Sequence, residues 1–191
     1  MIHFVTKSAG YRVLPLLLLL SAVFLCSGCV TYFGYGGPYE GRVIDRETRQ
    51  VIEGAVIHGT WHIHDPCSTT ADAIFHDSQE VLSDKKGEFK IKGHGLLIMS
   101  CVDEMDVTVF KAGYEQQRLT PWSALKNPAR NDVEWEGGKA IFKLRPMAME
   151  ERRKREVDLP DTPDNKRNLF RIEKNREQME IGTSSGKLSP K

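Results

Sequence analysis

The segment Ala55–His64 constrains the fold most strongly, because its apolar and polar residues alternate with a period of two. The residues of one parity are Ala55, Ile57, Trp61 and Ile63, and those of the other are His58, Thr60, His62 and His64. This periodicity is typical of a β-strand with one buried face. We therefore expect an apolar face in a core and a wet face that carries the histidines.

Further short segments of this kind, separated by turn residues, run from Tyr39 to Arg145. We expect strands at Glu40–Asp45, Ala55–His64, Val81–Ser83, Gly87–Lys92, Met105–Lys111, Glu115–Thr120 and Lys139–Arg145. The third and fourth of these are expected to form a hairpin around Asp84–Gly87, where a glycine supplies positive φ. About seven strands with turns between them predict a mainly β fold, an antiparallel β-sandwich.

Three of these segments also carry ordered sequence motifs. They are G-R-V-I-D-R-E-T-R-Q-V-I-E-G-A-V at Gly41–Val56, S-D-K-K-G-E-F-K-I at Ser83–Ile91 and V-T-V-F-K-A-G-Y at Val107–Tyr114. Residues 39–145 thereby resemble the carboxypeptidase regulatory-like domain, although Val51 stands where that family usually has proline. The resemblance implies a seven-stranded sandwich of the transthyretin-like or Ig-like kind. It also implies a non-catalytic accessory module.

The N-terminal 28 residues have the layout of a secretory signal. Lys7 and Arg12 precede the apolar run Leu14–Leu25, which is too short to span a bilayer comfortably. We expect residues 1–28 to form a signal helix that is removed on export.

The end of this segment reads Cys26-Ser27-Gly28-Cys29 and resembles the lipobox of bacterial lipoproteins. The resemblance implies that Cys29 is lipidated and that residues 29–38 form a Gly-rich tether. Val30, not aspartate, follows the cysteine, which favours the periplasmic face of the outer membrane in such proteins. An ordinary cleaved signal with an accidental cysteine is the alternative.

Two cysteines remain in the exported part of the chain, Cys67 and Cys101. An even pair in an oxidising compartment predicts a disulfide, and a loop of about 35 residues would make it worth roughly 3–4 kcal/mol. A reduced pair is the alternative. The net charge of +1 gives no concentrated positive field, so we expect no nucleic-acid partner.

The segment between Trp61 and Asp84 is longer than a hairpin requires, and long loops are often functional. His62 and His64 have Cα atoms roughly 7 Å apart on one face of a strand, near enough to bind one divalent metal. His76 is a candidate third ligand. A metal-dependent hydrolase and a metal-binding periplasmic protein are therefore alternatives to simple solvated histidines.

The chain lacks two common motifs of enzymes, the metalloprotease pattern H-E-x-x-H and the phosphate-binding pattern G-x-x-x-x-G-K-[ST]. We therefore expect no catalytic residues, and no cofactor other than that candidate divalent metal.

Residues 146–191 form a charged tail that differs in composition from the preceding segments. Helices are predicted over Ala148–Val157 and Asn165–Ile181, the second with only a thin apolar stripe. We expect either a helix that docks an envelope partner or a helix that packs on its own sandwich. The combined expectation is a lipid-anchored, non-catalytic binding or structural module of the cell envelope, with loop 62–83 or tail 146–181 contacting a partner.

Overall fold

The computed structural model describes residues 33–64, 73–98, 102, 105–119 and 133–186, and these residues are mainly β. Their strands are β1 Phe33–Gly36, β2 Tyr39–Asp45, β3 Val56–His64, β4 Ala73–Leu82, β5 Glu88–Ile91, β6 Gly95–Ile98, β7 Asp106–Phe110, β8 Gln117–Leu119, β9 Val133–Glu136 and β10 Lys139–Leu144. The predicted signal helix, residues 1–28, and the predicted lipidation site, Cys29, lie outside the described residues.

The strands form two four-stranded sheets and one two-stranded ribbon. The sheets have the orders β5-β2-β10-β9 and β4-β3-β7-β8, and the ribbon pairs β1 with β6. Strand β10 runs parallel to β2, while the other paired strands are antiparallel. The described residues thus contain ten strands and one parallel pair, which corrects the expectation of seven strands that all run antiparallel.

One hydrophobic core joins the two four-stranded sheets. It includes Val43 and Phe142 from one sheet and Ile57 and Trp61 from the other. The inward parity predicted for Ile57 and Trp61 is confirmed, since neither side chain is exposed. Gly59, between them on the same strand, has no room for a side chain because a Cβ there would overlap the sulfur of Met105. Burial on this face stabilises the fold in proportion to the apolar area removed from water.

The opposite face of β3 is buried as well, which corrects the prediction of a wet histidine face. Val56 joins a second core cluster with Phe110, Val157 and Phe170. His58, on the same face as Val56, is 0% exposed. The covering elements come from the C-terminal tail, which lies about a hundred residues further along the chain, so strand periodicity alone did not predict this burial.

The predicted hairpin over residues 81–92 is a crossing between sheets. Strand β4 belongs to one four-stranded sheet and β5 to the other. The connecting turn is closed by the N–H of Gly87, which donates to the Asp84 carbonyl at 2.8 Å. Gly87 has φ +72°, the left-handed conformation that glycine adopts without strain. The local turn was therefore predicted correctly, but its strands pair with other partners.

The segment expected as a long loop contains a ten-residue strand, β4. It pairs with β3 from Val56–Leu82 to His64–Ala73. The pairing register shifts between Trp61 and His62, so that Trp61 pairs with Asp77 and His62 with Phe75. This β-bulge breaks the period-two pattern of β4, which explains why the sequence predicted a strand only from Val81 onward.

The ribbon continues the β2–β5 pair beyond its Tyr39 end. Tyr39 pairs with Ile91 in the sheet, and Gly36 pairs with Gly95 in the ribbon. The short segments between these pairs, residues 37–38 and 92–94, each contain a glycine. The N–H of His94 donates to the Gly36 carbonyl at 2.7 Å. Strand β1 thus occupies residues 33–36 of the segment predicted as a tether.

The tail contains two α-helices among its described residues, α1 Met149–Lys154 and α2 Asn168–Gly186. A short 3₁₀ helix, Asp164–Lys166, precedes α2. None of the helices within the described residues is long and apolar enough to cross a membrane.

Candidate functional site

His76 of β4 lies near the ribbon, at one end of the sheets. The β-bulge leaves His76 as the extra residue between Phe75 and Asp77. Bulges of this kind redirect a side chain relative to its neighbours. The ring of His76 lies against His94, with ring centroids 5.4 Å apart.

His94 connects this pair to the core. Its ring meets Trp61 edge to face at 4.6 Å between centroids, an arrangement that aromatic pairs favour. Trp61 Nε1 and His94 Nε2 are buried and have no hydrogen-bond partner within the part of the chain that the structure describes. Buried polar atoms normally have a partner, so this end of the sheets contains two unused hydrogen-bonding atoms. His94 was not among the residues that the sequence singled out.

His62 has a different neighbour. Its Nδ1 lies 3.7 Å from an Asp106 carboxylate oxygen, and both side chains are about one-fifth exposed. His62 therefore lies beside Asp106 of β7, whereas His76 lies against His94, just before β6. Among the described side chains, no group of three or more histidine, cysteine or acidic residues is arranged to hold a metal ion. The side chain of His64 lies outside the description, so the metal site at His62, His64 and His76 stays a prediction.

The predicted disulfide joins Cys67 to Cys101. Cys67 and Cys101 both lie outside the described residues. Their pairing stays a prediction.

Asp77 links the β4 edge to the tail. Lys166 donates to its carboxylate at 3.0 Å, and both side chains are partly exposed. Burial alone would raise the pKa of Asp77, but the hydrogen bonds from Lys166 and the Ser78 N–H, with the nearby positive charge, lower it overall. The pair is a surface contact, which typically contributes at most about 1 kcal/mol.

Glu80 joins β4 to the start of helix α2. Its carboxylate accepts the N–H groups of Leu169 at 2.8 Å and Phe170 at 3.0 Å. These are first-turn N–H groups, which have no partner inside the helix. His58 Nδ1 lies 3.3 Å from the same carboxylate. Because an ionised carboxylate only accepts hydrogen bonds, Nδ1 carries the hydrogen.

The pKa of Glu80 reflects these contacts. Burial would raise it, but the hydrogen bond from His58 and the two backbone N–H groups lower it overall. The ionised carboxylate is therefore the form that the folded protein favours.

A second carboxylate, Glu177, fixes the later turns of α2. It accepts from Arg152 Nε at 3.0 Å, from Arg155 at 3.0 Å and from the Gly113 N–H at 2.8 Å. Burial would raise the pKa of Glu177, but Arg152, the Gly113 N–H and Arg155 together lower it. One helical turn earlier, Glu173 accepts the Ala112 N–H at 3.1 Å.

These carboxylates were not predicted because no local pattern reveals them. Glu80 and Leu169 are 89 residues apart, and Gly113 and Glu177 are 64 apart. Local sequence patterns reveal charge pairs within one helix, not pairs between distant elements. Of its two readings of the tail, the described contacts match the helix that packs on its own sheet.

Strand β4 lies at the edge of its sheet, with β3 as its one partner among the described strands. Two of its large apolar side chains are exposed, Ile74 at 61% and Leu82 at 49%. Helix α2 also exposes two apolar side chains, Ile172 and Met179. The molecule thus presents apolar residues on one strand edge and on one outer helix face.

No known protein family matches the chain, and neither a curated protein nor a solved structure is similar enough to count as a relative. The function is therefore inferred from the chain's own residues.

Proposed function

We propose that this protein is a lipid-anchored, non-catalytic binding module of the cell envelope, and that the edge of β4 is its recognition element. The observation that carries the proposal is an edge strand of ten residues with exposed Ile74 and Leu82. An edge strand offers unpaired backbone groups to an extended segment of another chain, and its side chains supply specificity. The partner class is an envelope protein that adds a strand to β4.

The tail is the less suitable recognition element. The charged side chains of its helices that face the sheet are engaged inside the molecule, as the contacts of Arg152, Arg155 and Glu177 illustrate. Phe170 is fully buried against Phe110, with ring centroids 5.2 Å apart. Binding a partner through this face would first require the helix to detach.

We infer a carboxypeptidase regulatory-like sandwich, in which the motif Gly41–Val56 covers most of β2, the following turn and the start of β3. The motif Val107–Tyr114 covers most of β7 and the turn after it. Support comes from Gly54, whose φ of +69° suits the glycine of the family pattern. The non-catalytic role follows from the resemblance.

We also propose that Cys29 carries the lipid anchor and that the protein lies at the periplasmic face of the outer membrane. The lipobox-like residues before Cys29 support lipid attachment, and Val30 supports the periplasmic face of the outer membrane. Cys29→Ala should abolish incorporation of a palmitate analogue. Continued incorporation would show that a residue other than Cys29 carries the lipid.

Two exposed isoleucines provide a matched test of the recognition element. A photoreactive amino acid at Ile74 should crosslink to an envelope protein in intact cells, whereas the same probe at Ile172 should not. Ile74→Lys places a charge on the strand edge and should prevent capture of that protein. Ile172→Lys should leave capture unchanged. The opposite result would move the recognition surface to α2, and equal capture from both positions would remove the assignment to β4.

A metal-binding role is the second candidate, favoured by the carboxylate of Asp106 beside His62. A carboxylate near one ring nitrogen commonly orients a histidine whose other nitrogen binds a metal. Metal analysis of the purified protein tests this reading: stoichiometric zinc or copper that is lost in His62→Ala would support it. A metal-free protein would rule out the metal-binding role and leave recognition at the β4 edge as the proposed function.

A further inference from the structure

A cavity of about 350 Å³ lies between helix α2 and the chain at the end of α1. Binding sites for small molecules usually have volumes of roughly 300–1,000 Å³. Helix α1 and the residues after it contribute Lys154, Arg155 and Val157 to the wall, and α2 contributes Lys174, Glu177 and Ile181. The cavity is therefore large enough for a small molecule, and its wall has both charged and apolar groups.

The wall of this cavity has an excess of positive charge. Its ionisable side chains are four cations, Arg152, Lys154, Arg155 and Lys174, and two carboxylates, Glu156 and Glu177. Glu177 already accepts hydrogen bonds from Arg152 at 2.6 Å and from Arg155 at 3.0 Å, whereas Glu156 is exposed. The wall thus has two more positive than negative charges, a balance that favours an anionic ligand.

The two lysines of the wall keep their charge for such a ligand. Lys174 Nζ donates to the Val157 carbonyl at 3.0 Å, and this acceptor is neutral. Because an ammonium group has three hydrogens, Lys174 retains two further donors. Lys154 is exposed at the end of α1 and forms no ion pair with any other residue that the structure describes.

Arg155 adds a partly buried positive charge to the same wall. Its side chain is only 14% exposed. Burial lowers the pKa of Arg155 because it penalises the charged form, and the attraction of Glu177 does not fully compensate for burial and for the repulsion of Arg152. An anion in the cavity would therefore stabilise the charged form of Arg155.

We propose that this cavity binds a small phosphomonoester, with Lys154 and Lys174 contacting the phosphate and Val157 and Ile181 contacting its organic part. Lysine binds phosphate as a point charge, whereas the planar fork of arginine suits carboxylates. The fork of Arg152 already binds the Glu177 carboxylate through two nitrogens, so the unoccupied donors of the wall favour phosphate. This site is separate from the edge of β4 and adds a small-molecule ligand to the proposed function.

Isothermal titration calorimetry of the purified full chain in detergent tests for this site. The probes, at constant ionic strength, are inorganic phosphate, phenyl phosphate and a short-chain phosphatidic acid. We expect phenyl phosphate to bind at one site and several-fold more tightly than inorganic phosphate, because its ring contacts the apolar part of the wall. Phosphatidic acid that binds more tightly than phenyl phosphate would support the site and identify a lipid headgroup as the source of the phosphate, and weaker binding would identify a soluble compound.

Four variants test which residues hold the phosphate. Lys154→Gln and Lys174→Gln should each raise the Kd for phenyl phosphate about five- to tenfold. Glu156→Gln removes a negative charge from the wall and should lower this Kd several-fold. The matched control is Lys85→Gln, which removes the same charge from an exposed position in the turn before β5 and should leave the Kd unchanged.

Several results would overturn the proposal. They are the absence of saturable binding, equal affinities for inorganic and phenyl phosphate, and a Kd that changes as much in Lys85→Gln as in Lys154→Gln. Since Lys174 also bonds to the Val157 carbonyl, urea unfolding checks the stability of each variant. If Lys174→Gln does not fold, the opposite shifts expected for Lys154→Gln and Glu156→Gln decide the result, and a Kd unchanged in both would overturn the site.

Discussion

Removing the Glu80 carboxylate should detach the start of helix α2 and leave His58 unpaired in the interior. Glu80→Ala removes the acceptor of two first-turn N–H groups, and the loss of a helix cap costs roughly 0.5–2 kcal/mol. It also removes the acceptor of the fully buried His58, and an unsatisfied buried polar group costs about 1–3 kcal/mol. We therefore expect the free energy of unfolding to fall by roughly 2–4 kcal/mol.

Urea unfolding followed by tryptophan fluorescence measures this loss, since Trp61 lies in the core. The matched control is Asp77→Ala on the same strand, which removes a partly exposed pair with Lys166 and should cost at most about 1 kcal/mol. A double variant with His58→Leu should recover part of the loss, because the unpaired ring is gone. A loss in Glu80→Ala no larger than in the control would refute the capping role.

Three further changes test other parts of the structure. Trp61→Ala should lower the free energy of unfolding by roughly 3–5 kcal/mol and His62→Ala by less than about 1 kcal/mol. Equal losses in urea unfolding would contradict the assignment of Trp61 to the core face of β3. Because its partners lower the pKa of Glu177, the stability from its ionised form is complete above about pH 5 and declines as pH falls through the folded-state pKa. Urea titrations from about pH 3 to 7 should show a flatter acid slope for Glu177→Gln, and an unchanged slope would exclude Glu177 as a source. Mass spectrometry of the oxidised protein should find Cys67 bonded to Cys101, and two free thiols would disprove the pairing.

The strands that alternate regularly were predictable from the sequence. The segment predicted at 40–45 covers β2 except its first residue, and those predicted at 55–64, 105–111 and 139–145 contain β3, β7 and β10. Their periodicity predicts strands because inward residues such as Trp61 must be apolar, whereas the residues next to them in the sequence need not be. Strand β4 was predicted only at its end, from Val81, because the bulge at His76 changes its parity halfway along.

The covering of the second face of β3 was not predictable from local pattern. A strand shows which residues share a face, but it does not show which distant element covers that face. His58 is polar, so its parity predicted solvent, whereas Glu80 satisfies one ring nitrogen inside the protein. The polar character of a buried face is explained only once the tail's contacts are known.

The same contacts explain how a helix with a thin apolar stripe is fixed in one position. Phe170 supplies the main apolar contact, which by itself would allow the helix to slide or rotate. Glu80 at its first turn and Glu177 more than two turns later each accept directional hydrogen bonds from groups on other elements. Two such points fix both the axial position and the rotation of a rigid helix. Because this fixation uses the helix face toward the sheet, the edge of β4 remains the better candidate for contact with a partner.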